Sequence, residues 1–207
     1  SPSIAIGQAK QEIIRMGEYS VQGLQEAMQH INKYDKKHVN TVAQIEEAIN
    51  SLDQKTTEYL VSISKKSLSG HDSKVHNILL ENIRDIERIG DHMENLIELT
   101  EFIENNGAQL SEEAMQELNG MLELVVETVS LAIQSLDQLD VEAAKQVLAN
   151  EDQIDQMERK LRKNHIVRLN NGICTGYAGV IFVDIISNLE RVGDHATNIA
   201  QSVIEVK

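Results

Sequence analysis

The chain of 207 residues has one cysteine, one proline, no tryptophan and only 3% aromatic residues. A single thiol cannot build a disulfide framework or a multi-thiolate zinc site. Because Pro2 is the only proline, no later helix is broken by a missing backbone donor. No run approaches the roughly 18 apolar residues that a membrane-spanning helix needs. The opening also lacks the charged start and apolar middle of a secretory leader. Positive charge is scarce: 19 Lys and Arg stand against 33 Asp and Glu, a net charge of −14. That balance argues against a nucleic-acid partner, since phosphate backbones are held by Lys and Arg. It fits a soluble intracellular protein that binds cations or basic partners.

What is present is helical pattern. Apolar residues make up 41% of the chain, enough for a core, and they recur at the helical period. Six stripes follow one another, anchored by Ile14 to Ile31, Val42 to Ile63, Val75 to Ile97, Leu118 to Leu136, Ala144 to His165, and Val180 to Val203. Turn chemistry separates them at Asn32–Asp35, Ser69–Asp72, Asn105–Gly107, Leu139–Glu142 and Asn170–Gly179, with Asp140 placed to cap the fifth helix. The expectation is an all-α protein of six helices, each roughly 25–30 residues and about 40 Å long.

The chain also repeats itself. Residues 81–96 read ENIRDIERIGDHMENL and residues 184–199 read DIISNLERVGDHATNI. Ile83, Glu87, Arg88, Gly90, Asp91, His92 and Asn95 recur as Ile186, Glu190, Arg191, Gly193, Asp194, His195 and Asn198. A weaker match sets Glu46 to Asn50 against Glu151 to Asp155. The simplest architecture is two tandem three-helix bundles related by a pseudo-two-fold. The first repeat covers residues 1–106 and the second 107–207, together forming one unit.

The repeat keeps polar residues, which a purely structural core would not require. Glycine inside a helix costs about 1 kcal/mol relative to alanine, so Gly90 and Gly193 imply a close approach to the backbone. Glu87 and Asp91, Glu190 and Asp194, and Glu151 and Asp155 are each four apart, on one helix face. Two such helices side by side would gather carboxylates whose repulsion a cation relieves. The second helix offers Glu46, but Asn50 stands where the partner acid would be. His92 and His195 are candidates either as ligands or as partners that orient ligands. The plain alternative for all of these acids is a solvated face paired with nearby arginines.

The doubled Glu-Arg-Ile/Val-Gly-Asp-His at 87–92 and 190–195 resembles the twice-occurring signature of the PhoU family. The run from Asp140 to Asp155 is similar to that family's approach to its second metal motif. The resemblance implies two three-helix bundles with multinuclear iron or zinc clusters on the surface. By position, one cluster would use Glu190, Asp194, Glu151 and Asp155, and the other Glu87, Asp91 and Glu46. It also implies regulation of phosphate uptake and signalling rather than catalysis, on the cytoplasmic side of the inner membrane, with a membrane phosphate transporter as partner. The segment Ser3–Ala9 resembles the stretch after the last membrane helix of bacterial sodium-dependent phosphate cotransporters that carry a C-terminal PhoU-like domain. That makes the upstream transmembrane part of the same protein the first candidate partner.

Three rivals stand beside this reading. One is a free-standing PhoU-like regulator of an ABC phosphate transporter and its sensor kinase. Another is a metal-free helical adaptor. A di-iron carboxylate enzyme is the least supported, because no glutamate lies three residues before any histidine and the acids flank the core instead of filling it. The sequence allows a homodimer and leaves the metal's identity open.

Overall fold

The computed structural model describes residues 1–206. It contains six α-helices: α1 (Pro2–Asn32), α2 (Lys36–Ser64), α3 (Gly70–Asn105), α4 (Glu112–Gln138), α5 (Val141–Asn170) and α6 (Gly176–Val206). α1 packs on α2 and α3, and α4 packs on α5 and α6. The two bundles meet along α3 against α6 and α1 against α4. Among the described residues, no helix is long and apolar enough to cross a membrane.

Side chains start the helices as their types dictate. Asp35, Ser69, Ser111 and Asp140 each accept a backbone N–H of the turn that follows, capping α2, α3, α4 and α5. Gly107 and Gly172, just past the ends of α3 and α5, have positive φ (61° and 69°), a conformation that glycine adopts without a Cβ penalty. Leu139 takes the same region (φ 50°) after α4, where its side chain is a cost. Two sequence-predicted breaks are shifted. Gly70, His71 and Asp72 form the first turn of α3, with Ser69 as cap, and α6 already begins at Gly176.

The stripes of α3, α4 and α5 are buried throughout, but the other three need correction. α1 is covered by three neighbours, so its buried face is wider and centres on Ile13, Met16, Ser20, Leu24 and Ala27, while Val21, Met28 and Ile31 are half-buried. Tyr59 and Val180 are exposed. The closest glycine approaches also lie on α1. A Cβ at Gly17 would fall 2.3 Å from Ile133 of α4, and one at Gly23 would fall 1.7 Å from the Met93 sulfur of α3. Glycine at these positions lets α1 sit against both halves.

Candidate metal centre

α6 presents Glu190 and Asp194 on one face, one turn apart, toward α5. α5 presents Glu151 and Asp155 in the same way. The helices come close because Gly193 has no side chain: a Cβ there would lie 3.2 Å from Cδ1 of Ile154. Ile154 sits between the two acids of α5, so its seating on Gly193 brings α5's carboxylates to α6's. Glu151, Asp155 and Asp194 each offer one oxygen, and the three lie within 4.8 Å of one another. Two oxygens on opposite sides of an ion bound at about 2.4 Å are about 4.8 Å apart, so the trio fits one hard cation with little movement. Among the described residues, no second trio of such side chains converges this closely.

Electrostatics agree with the geometry. Burial, a hydrogen bond shared with Asp194 and the charges of Asp194 and Asp155 push the Glu151 carboxyl up to about 7. Thr197, whose hydroxyl donates to the Gly193 carbonyl at 3.0 Å, lies beside Glu151 and opposes that shift. Asp155 and Glu190 are raised as well, first by burial and then by the Asp194 charge. Glu158, the next acid along α5, is engaged elsewhere: Arg162 Nε donates to it at 2.8 Å.

In the first half, α2 and α3 carry the matching positions without the same convergence. Glu46 is raised to about 8 by burial and by a hydrogen bond shared with Glu94, with the charges of Asp91 and Glu87 behind it. Glu87 is raised by burial and by Asp91, with Asp53 further off. Asn50 is exposed. Glu94 was not anticipated from the sequence, because its counterpart in the second repeat, Thr197, is not an acid. A Cβ at Gly90 would lie 3.7 Å from Ile49 of α2, an ordinary contact that would admit a methyl group.

The two histidines make their side-chain hydrogen bonds away from the candidate ligands. His92 Nδ1 meets Asn188 Oδ1 at 2.9 Å, and His195 Nδ1 meets Asp85 Oδ1 at 3.0 Å. Asn95 and Asn198 donate to these same two acceptors. The His92 and His195 rings face each other at 5.7 Å. The repeated His and Asn therefore tie α3 to α6 across the seam between the halves, and none of their side-chain partners is a candidate ligand. Asp85 is thus part of this seam. Cys174 is half-buried, its sulfur 3.8 Å from His165 Nε2. His165 is in the core as expected, stacked on Phe182.

Comparison with known proteins places these features in context. The family model described as "PhoU domain" matches twice, over residues 13–100 and 118–203. The phosphate-specific transport system accessory protein PhoU homolog of Xylella fastidiosa (strain 9a5c) is 28% identical over 193 residues, which cover 93% of this chain and 80% of that protein. The YjbB protein of Salmonella typhimurium, named for inorganic phosphate export, is 18% identical over 99% of this chain but only 38% of its own length. The crystal structure of PhoU from Pseudomonas aeruginosa superposes with a TM-score of 0.92 at 19% identity, covering 100% of this chain and 98% of that one.

Proposed function

The chain belongs to the PhoU family, and from that premise we propose that it is a regulatory accessory protein of phosphate transport rather than an enzyme. The carrying observation is the family match over both halves, together with a relative, named as a transport accessory protein, that this chain covers for 80% of its length. Such relatives favour a free-standing regulator acting on a separate membrane transporter at the cytoplasmic face. The similarity to YjbB, confined to 38% of that protein, keeps a second arrangement in play, in which the same unit is one part of a longer phosphate transporter. Deleting the gene and measuring phosphate uptake tests the regulatory role. Uptake that no longer responds to external phosphate is the expected result, and unchanged, still responsive uptake would refute it.

Metal binding is the chemical part of the proposal. Glu151, Asp155 and Asp194, with Glu190 beside them, would hold the tighter cation, and Glu87, Asp91 and Glu46 a weaker one. Their donors are all carboxylate oxygens, a set that suits hard cations such as iron, manganese, calcium or magnesium better than zinc. A bound cation would relieve the repulsion among the crowded carboxylates and would join α5 to α6, stabilising the folded state by mass action.

A further inference from the structure

We propose that the end of the molecule formed by the α5–α6 turn is a docking surface for an anionic lipid bilayer. The inference does not depend on the regulatory reading, because it concerns what this end of the isolated protein binds.

Large apolar side chains lie uncovered there. Ile166 and Val167 at the end of α5, Ile173 in the turn, and Tyr177 and Val180 at the start of α6 are between 42% and 64% exposed. Asn106 at the end of α3 donates to the Tyr177 hydroxyl at 2.8 Å, so α3's last turn is held beside this end, and Phe102 there is exposed too. The same face of α5 continues into cations. Arg159, Lys160 and Lys163 precede Ile166 and Val167 at helical spacings of three and four and are all exposed. Among the described residues, none of the three forms an ion pair. The other two arginines of this stretch are paired: Arg162 with Glu158, and the buried Arg168 with Glu117 at 2.6 Å. In a chain with 33 acids and a charge of −14, three outward, unpaired cations beside five bare apolar side chains form a patch of the opposite character.

Its shape and charge favour a leaflet over a protein. The apolar groups stand on a turn and two helix ends, a convex tip, whereas a partner helix needs a groove. Apolar side chains flanked by Lys and Arg are the composition that inserts into headgroups. Cytoplasmic loops of membrane proteins carry excess Lys and Arg and would be repelled by Arg159, Lys160 and Lys163. The acidic remainder does not forbid the approach. α5 is about 45 Å long, so the acids on the far half of the molecule lie beyond the roughly 8–10 Å over which charges act at physiological salt. The exposed acids at this end are Glu104 in α3's last turn and Glu112 and Glu113 in α4's first, and Glu113 faces Arg168 at 3.7 Å.

The test is co-sedimentation of the whole protein with vesicles of phosphatidylcholine alone or mixed with phosphatidylglycerol. Binding to the mixed vesicles only, weakening with added salt, is expected. Lys160→Gln/Lys163→Gln should lower partitioning about 25-fold, given about fivefold for each cation at an anionic surface. Arg159 is left in place because its charge also acts on Asp155. Ile166→Ser/Ile173→Ser, at exposed positions, should abolish penetration without disturbing the fold. Lys65→Gln/Lys66→Gln, at the α2–α3 turn, should change nothing. The proposal is overturned if phosphatidylglycerol confers no binding, if the tip variants bind as well as wild type, or if the Lys65/Lys66 variant loses as much. It is equally overturned if the tip variants lose only capture by the detergent-solubilised transporter, which would give the surface to a protein.

Discussion

In the second half, three carboxylates offer oxygens within 4.8 Å of one another. In the first half, the same motif leaves Glu46 beside Glu94, its carboxyl pushed up to about 8 by burial and that neighbour. Two local differences account for this. Asn50 replaces the acid that stands at Asp155, and a Cβ at Gly90 would lie 3.7 Å from α2's Ile49 where one at Gly193 would lie 3.2 Å from α5's Ile154. A repeated motif thus fixes which face a helix presents, while the partner helix decides whether that face becomes a site.

The comparison can be broken by mutation. Removing the second patch with Glu151→Gln/Asp194→Asn should have the largest effect. A site at a hundredfold excess of ligand over its Kd stabilises by about 2.7 kcal/mol, or roughly 5–10 °C in Tm for a chain of this size. That cation-dependent gain should vanish in this variant and survive in Glu46→Gln/Asp91→Asn, as read by thermal melting with and without chelator.

Asn50→Asp should sharpen the comparison by making the first half resemble the second. Without cations the added like charge four residues from Glu46 should cost about 0.5 kcal/mol. With cations the variant should regain that and gain a second binding phase in a calorimetric titration.

The pH response follows from the raised carboxyls. A carboxyl whose pKa is higher folded than unfolded keeps its proton longer in the folded state, so its contribution to stability is lost as pH rises. Glu46 moves from its ordinary value of 4.5 to about 8, and Glu151 to about 7. The buried His30 and His165 and the half-buried His92, all lowered chiefly by loss of solvent, act in the opposite sense below their ordinary 6.5. Between pH about 6.5 and about 8 the carboxyls act alone, and cation-free protein should melt at lower temperature as pH rises. Glu46→Gln should flatten that slope, most strongly in the upper part of the window.

The smallest effect concerns the glycines. Gly90→Ala meets only ordinary contact and should stabilise by about 0.5–1 kcal/mol through helix propensity. At Gly193 the new methyl must displace the end of Ile154, so Gly193→Ala should gain less and should weaken cation binding. Denaturant melts of both variants, with and without cation, check this.

The six helices, most of their ends and the three buried stripes of α3, α4 and α5 were legible from period and turn residues. The α1 face was not, because Gly17, Gly23 and Ser20 are buried there and carry no apolar signal. The acids of the second patch could be read as a face, yet their convergence depended on Ile154 seating on Gly193, a contact between helices that sequence spacing does not encode. The histidines misled for a related reason. Spacing set His92 and His195 beside the acids in sequence, but each points across the seam to a residue of the other repeat. Exchanging Asn188 against Asp85 identifies that seam only once both helices are seen together.

The most direct test is a calorimetric titration of cation-free protein with manganese(II), wild type beside Glu151→Gln/Asp194→Asn and Glu46→Gln/Asp91→Asn. The account predicts a tight phase that disappears in the first variant and persists in the second. A tight phase unchanged in the first variant, or lost only in the second, would contradict it.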